Sequence, residues 1–362
     1  MKNQFNISKV LIAPLDWGLG HATRCIPIIK AFRQLNISVI LAAEGHQAAL
    51  LLKEFPDITI LPLTGYRIRY AKSRILLLFS LALQMIRIYK TIKQEEAWLK
   101  KVVEDYQIDL IISDNRFGLH HPRVPSIFIT HQLLIKAPYK WVENIFQRIN
   151  YYFINQYTAC WVPDMAAAPG LAGELSHPVK MPKVPVFYMK LLSRFTRVTG
   201  ATKYTFGIIL SGPEPQRTIL EDKILSDLSA FTKPVLLVRG LPSDSTLIEV
   251  PEHVTVFNHL DTNDLDFHLQ QADYIIGRGG YTSLMELLSI DKRLIVVPTP
   301  GQTEQEYLSA LLMKTKRLLC LSQAEFSVNE AYVNAQKFTF SKMNLDQFDL
   351  EQLKTLLINL PK

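Results

Sequence analysis

Cysteine is scarce in this chain of 362 residues, and its placement excludes two kinds of structure. The three cysteines, Cys25, Cys160 and Cys320, are far apart and odd in number. They show neither the short spacing of a metal site nor the pattern of a disulfide framework. Because disulfides are rare in reducing compartments, we expect a cytoplasmic protein.

Long apolar runs are also lacking. Residues 1–18 contain no apolar core of a signal peptide, and Val10–Ala13 is predicted to be a buried strand instead. The apolar run Ile75–Ile86 would span about 18 Å as a helix, which is less than the roughly 30 Å core of a bilayer. No repeat or low-complexity tract is present. These absences favour a globular chain without a membrane span.

Acidic residues are missing from Ile58–Gln94. Residues 1–195 carry 24 Lys and Arg against 13 Asp and Glu, whereas residues 196–362 carry 16 against 20. Basic residues on both sides of an apolar helix suit docking on an anionic membrane, here through Arg67–Lys93 and on the inner face. The alternative is a buried amphipathic helix with a solvated basic edge.

Alternating apolar strands and helices are what the sequence does contain. Hydrophobic residues make up 48% and charged residues 20%, as in a globular protein, and the length allows two domains. Lys9–Ala13, a glycine loop, Ala22–Leu35 and Ser38–Ala42 predict a Rossmann-like strand, helix and strand. The full G-x-G-x-x-G pattern is absent because His-Ala-Thr follows Gly20, which excludes a dinucleotide fingerprint.

Three prolines within Gly170–Arg197 indicate a crossing between domains. We therefore expect one domain over residues 1–195 and a second over residues 196–344. An amphipathic helix over Leu345–Leu360, within residues 345–362, is expected to pack back on the first domain.

A glycine-rich turn dominates the second half. It follows the apolar strand Tyr274–Ile276 and leads into a helix over Thr282–Ser289, a pattern typical of a parallel sheet. Glycines let a ligand approach the backbone, and the helix N-terminus favours a phosphate or sugar hydroxyl. Glu286 shares a helix face with Thr282 and can accept both hydroxyls of a ribose. The alternative is a glycine turn with a solvated Glu.

This stretch resembles the nucleotide-sugar-binding half of GT-B glycosyltransferases, in particular the MurG-like N-acetylglucosaminyltransferases. The shared features are the small-residue turn, Thr and Glu on one helix, a strand ending at Pro298, and a Gln/Glu loop before Ala310. The resemblance implies an α/β GT-B fold, with two Rossmann-like domains whose parallel sheets face a cleft. The donor-side residues expected from it and from the loops are Gly18, Gly20, Ser211, Gly212, Gln216, Arg217, Asn258, His259, Arg278, Gly279, Gly280, Thr282, Glu286, Gln302, Gln305 and Glu306.

His21 is the candidate general base. It lies at a predicted helix N-terminus, where the helix dipole disfavours the imidazolium, and a neutral imidazole can accept a proton. Asp114 follows the strand Asp109–Ser113, at an edge where α/β proteins bind ligands. Many plant and drug-conjugating GT-B enzymes orient their loop His with such an Asp, which implies that Asp114 holds His21. The alternatives are a structural His and a turn-capping Asp.

The same loop is also similar to that of the nucleotide-sugar hydrolase of pseudaminic acid synthesis, and Arg24 and Cys25 match that pattern. Arg24 could be a phosphate contact or a surface charge, and Cys25 is expected in the core. On the acceptor side, His131 and Gln132 correspond to a His-Glu-Gln of MurG-like enzymes. The Glu is absent here, which leaves the acceptor chemistry open.

Two charged motifs complete the expected donor site. Arg217, in a first helical turn, could neutralise a diphosphate. Asp264 and Asp266 form a D-x-D that is expected to cap a helix instead of binding a metal, so no metal is expected.

These features predict an inverting, metal-independent glycosyltransferase. It would move a hexose or N-acetylhexosamine from a UDP-sugar, its co-substrate, to a lipid-linked or membrane-associated hydroxyl. No cofactor and no nucleic-acid partner are expected. The rival predictions are a nucleotide-sugar hydrolase and a non-catalytic nucleotide-sugar-binding protein.

Overall fold

The strands of the protein form two separate sheets, of seven and of six strands. The computed structural model describes residues 5–66, 77–137, 139–197, 201–242, 244–246, 248–342 and 345–361, and for residues 77–86 it describes the helix without its side chains. Every pairing within the two sheets is parallel. The predicted α/β class with two parallel-sheet domains is therefore confirmed.

The first sheet is covered by helices on both faces. Its strands are β1 (Lys9–Pro14), β2 (Ser38–Ala42), β3 (Thr59–Leu61), β4 (Leu110–Asp114), β5 (Ser126–Ile129), β6 (Ala159–Val162) and β7 (Val186–Tyr188). The helices are α1 (Leu19–Gln34), α2 (Gly45–Glu54), α3 (Leu77–Tyr106) and α4 (Lys140–Ile154). Strands β4, β5 and β6 are buried along their whole length, as parallel strands between helices are. Cys25 of α1 is fully buried, so its predicted core position is confirmed.

The second sheet repeats this arrangement. Its strands are β8 (Tyr204–Ile209), β9 (Val235–Val238), β10 (Val254–Phe257), β11 (Ala272–Gly277), β12 (Arg293–Val296) and β13 (Leu318–Cys320). Its helices are α5 (Gln216–Leu228), α6 (Thr262–Gln270), α7 (Tyr281–Ser289), α8 (Thr303–Lys314) and α9 (Val328–Lys337).

The order of strands reverses near the middle of each sheet. The first runs β3-β2-β1-β4-β5-β6-β7 and the second β10-β9-β8-β11-β12-β13. Open α/β sheets bind ligands beyond the carboxyl ends of the strands at such a reversal. His21 and Asp114 follow β1 and β4, and the loop 211–217 and the turn 278–280 follow β8 and β11. The fold thus places four sequence-predicted segments at the two points where a ligand is expected.

The predicted domain crossing contains a strand that its prolines concealed. Strand β7 pairs with β6 at the edge of the first sheet. Pro185 directly precedes β7, and its carbonyl accepts from the Cys160 N–H at 2.9 Å. Proline is tolerated there because the first position of an edge strand needs no N–H donor.

The last helix lies against the first domain. It is α10, Leu350–Ile358, and is shorter than the predicted Leu345–Leu360. Its start is set by Asp349, whose side chain accepts from the Gln352 N–H. The Gln352 side chain donates to the Tyr188 carbonyl of β7 at 2.9 Å, and the apolar face of α10 joins the same hydrophobic cluster as α1.

The predicted membrane-docking stretch falls mostly outside the described residues. Residues 67–76, with Arg67, Arg69, Lys72 and Arg74, lie outside them, as do the side chains of residues 77–86. Within the part of the chain that the structure describes, no helix combines the length and the apolar character needed to cross a bilayer.

Candidate functional site

The loop after β1 delivers His21 to the carboxyl edge of the first sheet. Gly18 has a φ of 74°, a region that favours glycine, and helix α1 starts directly after it. The Gly20 carbonyl accepts from the Thr282 hydroxyl of α7 at 3.4 Å. Neither α1 nor α7 has a side-chain cap, so the positive ends of both helices meet at this cleft.

Asp114 ends β4 and contacts His21. His21 Nδ1 lies 3.0 Å from Asp114 Oδ2, so the predicted contact is present. Asp114 is fully buried. It lies beside the first turn of α1 because β1 and β4 are neighbours that place Pro14 and Asp114 in register.

Arg24 is neither the phosphate contact nor the surface charge that the sequence suggested. Its side chain is buried and grips Asp114 with two groups: Nε donates to Oδ2 at 2.8 Å and Nη2 donates to Oδ1. Nη2 also lies 2.9 Å from His21 Nδ1, and Nη1 lies 3.3 Å from His131 Nδ1. A buried charge needs a partner of opposite sign, and Asp114 supplies it.

His21 Nδ1 has two neighbours and can satisfy only one. With its proton on Nδ1, the ring donates to Asp114; without it, Nδ1 accepts from Arg24. The first tautomer leaves Nε2 with a free lone pair, as a general base requires.

Burial and neighbouring charges both shift the pKa values of His21 and Asp114. Burial lowers the pKa of His21 below its ordinary 6.5, and Arg24 lowers it further against the opposing effect of Asp114. Burial opposes ionisation of Asp114, but Arg24 and His21 outweigh it and bring the pKa of Asp114 to about 2. At neutral pH the pair is a neutral imidazole beside a carboxylate.

The two acceptor-side residues predicted from the sequence reach the second domain. His131 Nε2 lies 2.7 Å from Glu304 Oε1, and the Gln132 amide donates to Glu304 Oε2. The His131 ring also stacks on Tyr281, with centroids 4.1 Å apart and planes at 6°. We call these four side chains the clasp, because they join the first domain to α7 and α8.

Arg278 is a buried cation in the turn after β11. It is 3% exposed, its Nη1 donates to the Val297 carbonyl at 3.1 Å and its Nη2 to the Gln216 carbonyl at 2.5 Å. Its Nε has no partner among the described residues. Burial lowers the pKa of Arg278 to about 10. The other buried arginines of the described chain each pair with a carboxylate: Arg24, Arg116, Arg217 and Arg239. Arg278 has no such pair in the described residues.

The loop after β8 passes over Arg278. Gly212 has a φ of 103°, and a side chain there would come within 3.8 Å of Thr299 Oγ1 and 4.0 Å of Arg278 Cγ. The Thr299 hydroxyl is buried and has no partner in the part of the chain that the structure describes. Two unpartnered polar groups therefore lie under this loop, and buried groups of this kind usually have a hydrogen-bond partner.

Arg217, in contrast, is already compensated. Its Nε donates to Glu214 Oε1 at 2.5 Å and its Nη1 to Glu221 Oε2 at 2.9 Å. The contact with a diphosphate that the sequence suggested for Arg217 would compete with these two carboxylates.

Glu286 is buried in α7, so the alternative of a solvated Glu is wrong. Its Oε1 accepts from Arg194 Nε at 2.9 Å. Burial raises the pKa of Glu286, and the charge of Arg194 opposes this. The predicted ribose contact of Glu286 stays a prediction.

The two glycines of the turn have different surroundings. A side chain at Gly279 would meet Ser309 Oγ at 2.7 Å and Val296 Cγ1 at 3.1 Å, whereas nothing lies within 4 Å of one at Gly280. Gly279 is therefore required by the packing of α8, and Gly280 borders open space where a ligand can approach.

The predicted sugar-binding side chains before and within α8 form hydrogen bonds within their own loop. Gln305 Oε1 accepts from the Thr299 N–H at 2.9 Å and its amide donates to Gln302 Oε1 at 2.5 Å. Glu306 accepts a backbone N–H of the loop at 2.9 Å. Glu304, which was not predicted, lies on the same helix and reaches across the cleft to His131 and Gln132.

Asn258, predicted near the uracil, holds its own neighbourhood together. Its Oδ1 accepts from Arg239 at 2.8 Å, and its amide donates to the Asp244 and Thr246 carbonyls. His259 follows it, and burial lowers its pKa. The uracil contacts stay a prediction.

Comparison with known proteins decides the class of this site. Residues 233–349 match the glycosyltransferase family 28 C-terminal domain. An uncharacterized glycosyltransferase of Methanosarcina mazei is 23% identical over 345 residues, covering 84% of this chain and 83% of the relative. The chain is a glycosyltransferase of the GT-B fold.

Solved structures agree on the fold of this glycosyltransferase. MurG of Acinetobacter baumannii is 12% identical with a TM-score of 0.54, covering 98% of this chain and 94% of that one. UGT2 of Phytolacca americana, solved with UDP-2-fluoro-glucose and pterostilbene, is 13% identical with a TM-score of 0.63, covering 97% and 93%. The predicted GT-B fold and glycosyltransferase class are confirmed.

The D-x-D of the glycosyltransferase lies on a helix. Helix α6 is capped by Asp261, which accepts from the Asp264 N–H at 3.0 Å, so Asp264 is in the first turn and is not the cap. Across the described ranges, no three His, Cys, Asp or Glu side chains are grouped to hold a metal ion. Metal independence stays a prediction.

Sequence reasoning missed four side chains of the glycosyltransferase site: the role of Arg24, and Tyr281, Thr299 and Glu304 altogether. Arg24 follows His21 by one helical turn, a spacing that could have indicated a shared partner. Tyr281 and Glu304 gave no comparable signal, because their contacts lie far away in the sequence. Thr299 gave none either, because a hydroxyl without a partner in the described residues leaves no pattern of spacing.

Proposed function

We propose that this glycosyltransferase moves a hexose or N-acetylhexosamine from a UDP-sugar to an acceptor hydroxyl, with inversion and without a metal. The observation that carries the proposal is the contact between the first turns of helices α1 and α7. The Gly20 carbonyl and the Thr282 hydroxyl lie 3.4 Å apart. A base on one domain and an anion site on the other thus border a single cleft.

The donor diphosphate would bind against Arg278. Its guanidinium is desolvated and has no carboxylate pair in the described chain, so an anion would supply its missing partner. The uncapped start of α7 adds N–H groups at the same place. UDP is supported as the nucleotide by the plant neighbour solved with a UDP-sugar analogue. We assign the phosphate contact to Arg278, because Arg217 is already paired.

His21 would act as the general base. Its Nε2 takes the proton of the acceptor hydroxyl while that oxygen attacks the anomeric carbon. The bond from the anomeric carbon to the diphosphate oxygen breaks, and UDP leaves with the bonding electrons. Arg278 and the N-terminus of α7 would stabilise the charge that develops on the leaving oxygen.

Donor binding and turnover test the proposal. UDP and its sugar conjugates should raise the melting temperature, because a ligand selective for the folded state stabilises it. His21→Ala should keep this shift and lose at least about 100-fold of turnover. Absence of any shift would reject the donor, and full turnover by His21→Ala would reject the base.

A hydrolase is the second candidate, supported by the Arg24–Cys25 match to the hydrolase loop. In that case His21 would activate water. Free sugar released at the same rate with and without a lipid extract would identify the hydrolase, whereas a glycosylated lipid would identify the transferase.

The acceptor is proposed to be membrane-bound, with docking on the cytoplasmic face through Arg67–Lys93 and the neighbouring helix α4. Helix α4 buries Glu143, Asn150 and Ile154, while Trp141 is 62%, Ile145 43% and Tyr152 68% exposed. Their helical spacing places Trp141, Ile145 and Tyr152 in one exposed apolar stripe. Aromatic and basic side chains together suit the interface of an anionic membrane.

Vesicle sedimentation tests the docking. The protein should pellet with vesicles containing phosphatidylglycerol and not with neutral phosphatidylcholine vesicles. Replacing Trp141 and Tyr152 by Ala should release it. Phe267→Ala, at an equally exposed aromatic of the second domain, is the control. Equal sedimentation of all variants would place the contact elsewhere.

A further inference from the structure

We propose that Arg24 is a positioning residue for His21, which fixes the carboxylate of Asp114 against Nδ1 and offsets its charge. The imidazole then keeps Nδ1 protonated and Nε2 free while the ring as a whole stays neutral. This inference deepens the proposed function, since it rests on His21 being the base.

The two hydrogen bonds from the Arg24 guanidinium to Asp114 support the proposed positioning role. Nε and Nη2 of Arg24 each donate to a different oxygen of Asp114. Two parallel hydrogen bonds fix the plane of a carboxylate, and that plane presents Oδ2 to His21 at 3.0 Å. A single donor would leave the carboxylate free to rotate.

The distances of Arg24 and Asp114 from His21 support the proposed cancellation of charge. Arg24 Nη2 lies 2.9 Å from His21 Nδ1, and Asp114 Oδ2 lies 3.0 Å from the same atom. Charges of opposite sign at nearly equal distance largely cancel at the ring. Without Arg24, the carboxylate alone would stabilise the imidazolium and remove the base.

The other charged groups around His21 do not replace Arg24. His131 approaches from the loop after β5, and Glu304 approaches from α8 and is bound to His131. Cys25 faces Asp114 at 3.9 Å, and burial raises the pKa of its thiol, so it stays uncharged. Among the described groups that face the ring, Arg24 is the permanent cation.

Titration of His21 by NMR tests the charge part without substrate. With labelled histidine, and with His21→Gln to assign the signal, nitrogen shifts report both pKa and tautomer. The wild type should carry its proton on Nδ1. Arg24→Gln should raise the pKa of His21 by about one unit or more. The control is Arg33→Gln on the same helix, an exposed arginine paired with Asp57, which should leave the titration unchanged.

Arg24→Lys separates position from charge. Lysine keeps the cation but cannot form the fork, so the pKa should stay near that of the wild type while kcat falls about tenfold. An unchanged titration in Arg24→Gln, or a wild-type proton on Nε2, would overturn the charge part. Wild-type kcat in Arg24→Lys would overturn the positioning part.

A second pair of variants covers the case in which Arg24→Gln does not fold, because it leaves Asp114 buried without a partner. Asp114→Asn and the double variant Asp114→Asn/Arg24→Gln differ only in the cation. The pKa of His21 should be higher in the double variant, and equal values would refute the proposal.

The titration also distinguishes the two levels of inference. If His21 responds as expected but no UDP-sugar is bound or turned over, the proposed function fails and the effect of Arg24 on His21 stands. If turnover depends on His21 but its titration ignores Arg24, the proposed function stands and the inference about Arg24 fails.

Discussion

Arg278 differs from the other buried arginines of the described chain in its surroundings. The buried Arg116, for comparison, donates to Glu95 at 2.8 Å, whereas Arg278 bonds to backbone carbonyls. A buried charge that lacks a counter-charge in the described fold costs stability. The proposed donor diphosphate would supply that counter-charge.

Arg278→Met should therefore separate stability from binding. We expect UDP affinity to fall about 10- to 100-fold, because a hydrogen bond to a charged group contributes about 1.5–3 kcal/mol. Calorimetric titration with UDP measures this loss.

Arg116→Met is the matched control for stability. It leaves the Glu95 carboxylate buried without its partner, which costs about 3–5 kcal/mol, so its melting temperature should fall further than that of Arg278→Met. The reverse order would show that Arg278 is a structural residue.

At the residue scale, the sequence predicted the pair of His21 and Asp114 but not the part of Arg24. The pair was predictable from the resemblance to GT-B enzymes, and because His21 comes after the loop of one apolar strand and Asp114 ends another, at the same edge of a parallel sheet. Burial of Arg24 depends on the carboxylate beside it. Residue type and spacing alone do not distinguish that position from a surface one.

The turn between β11 and α7 is the element on which the donor side depends. Its two glycines are packed differently, since Gly279 faces α8 and Gly280 faces open space. A pair of alanine substitutions can therefore separate packing from ligand access.

Gly279→Ala should destabilise the fold by about 1–3 kcal/mol, because its methyl group would overlap Ser309 and Val296. Gly280→Ala, whose φ of −68° suits any residue, should keep the melting temperature and weaken UDP binding. Thermal unfolding with and without UDP measures both effects. Equal stability of the two variants would contradict the assigned packing role of Gly279.

At the element scale, most strands and helices followed from apolar runs and glycine or proline breaks, whereas β7 did not. Three residues directly after a proline give too short a pattern to predict a strand. The pairing of β7 with β6 is a tertiary contact, which outweighs local preference at a sheet edge.

The clasp acts at the scale of the whole molecule, since it joins the two domains across the cleft. Glu304 binds both His131 and Gln132, which lie more than 170 residues away in the sequence. A single sequence cannot predict such a pair, because it depends on how two domains face each other.

Glu304→Ala should weaken the contact between the two domains. The loss of two hydrogen bonds is on the order of 1–3 kcal/mol, enough to shift an equilibrium between joined and separated domains. Small-angle scattering should show a larger radius of gyration. Glu306→Ala, which removes a contact within its own loop, is the control, and identical scattering from both variants would contradict the role of the clasp.

Helix α10 also ties the two ends of the sequence together. Its Leu353, Leu356 and Leu357 belong to the same apolar cluster as Phe32 of α1. During translation, these leucines are added long after the last strand of the first sheet has been synthesised. The part of α1 that α10 contacts therefore stays uncovered until translation has passed residue 358, and the domain that is made first is the last to be finished.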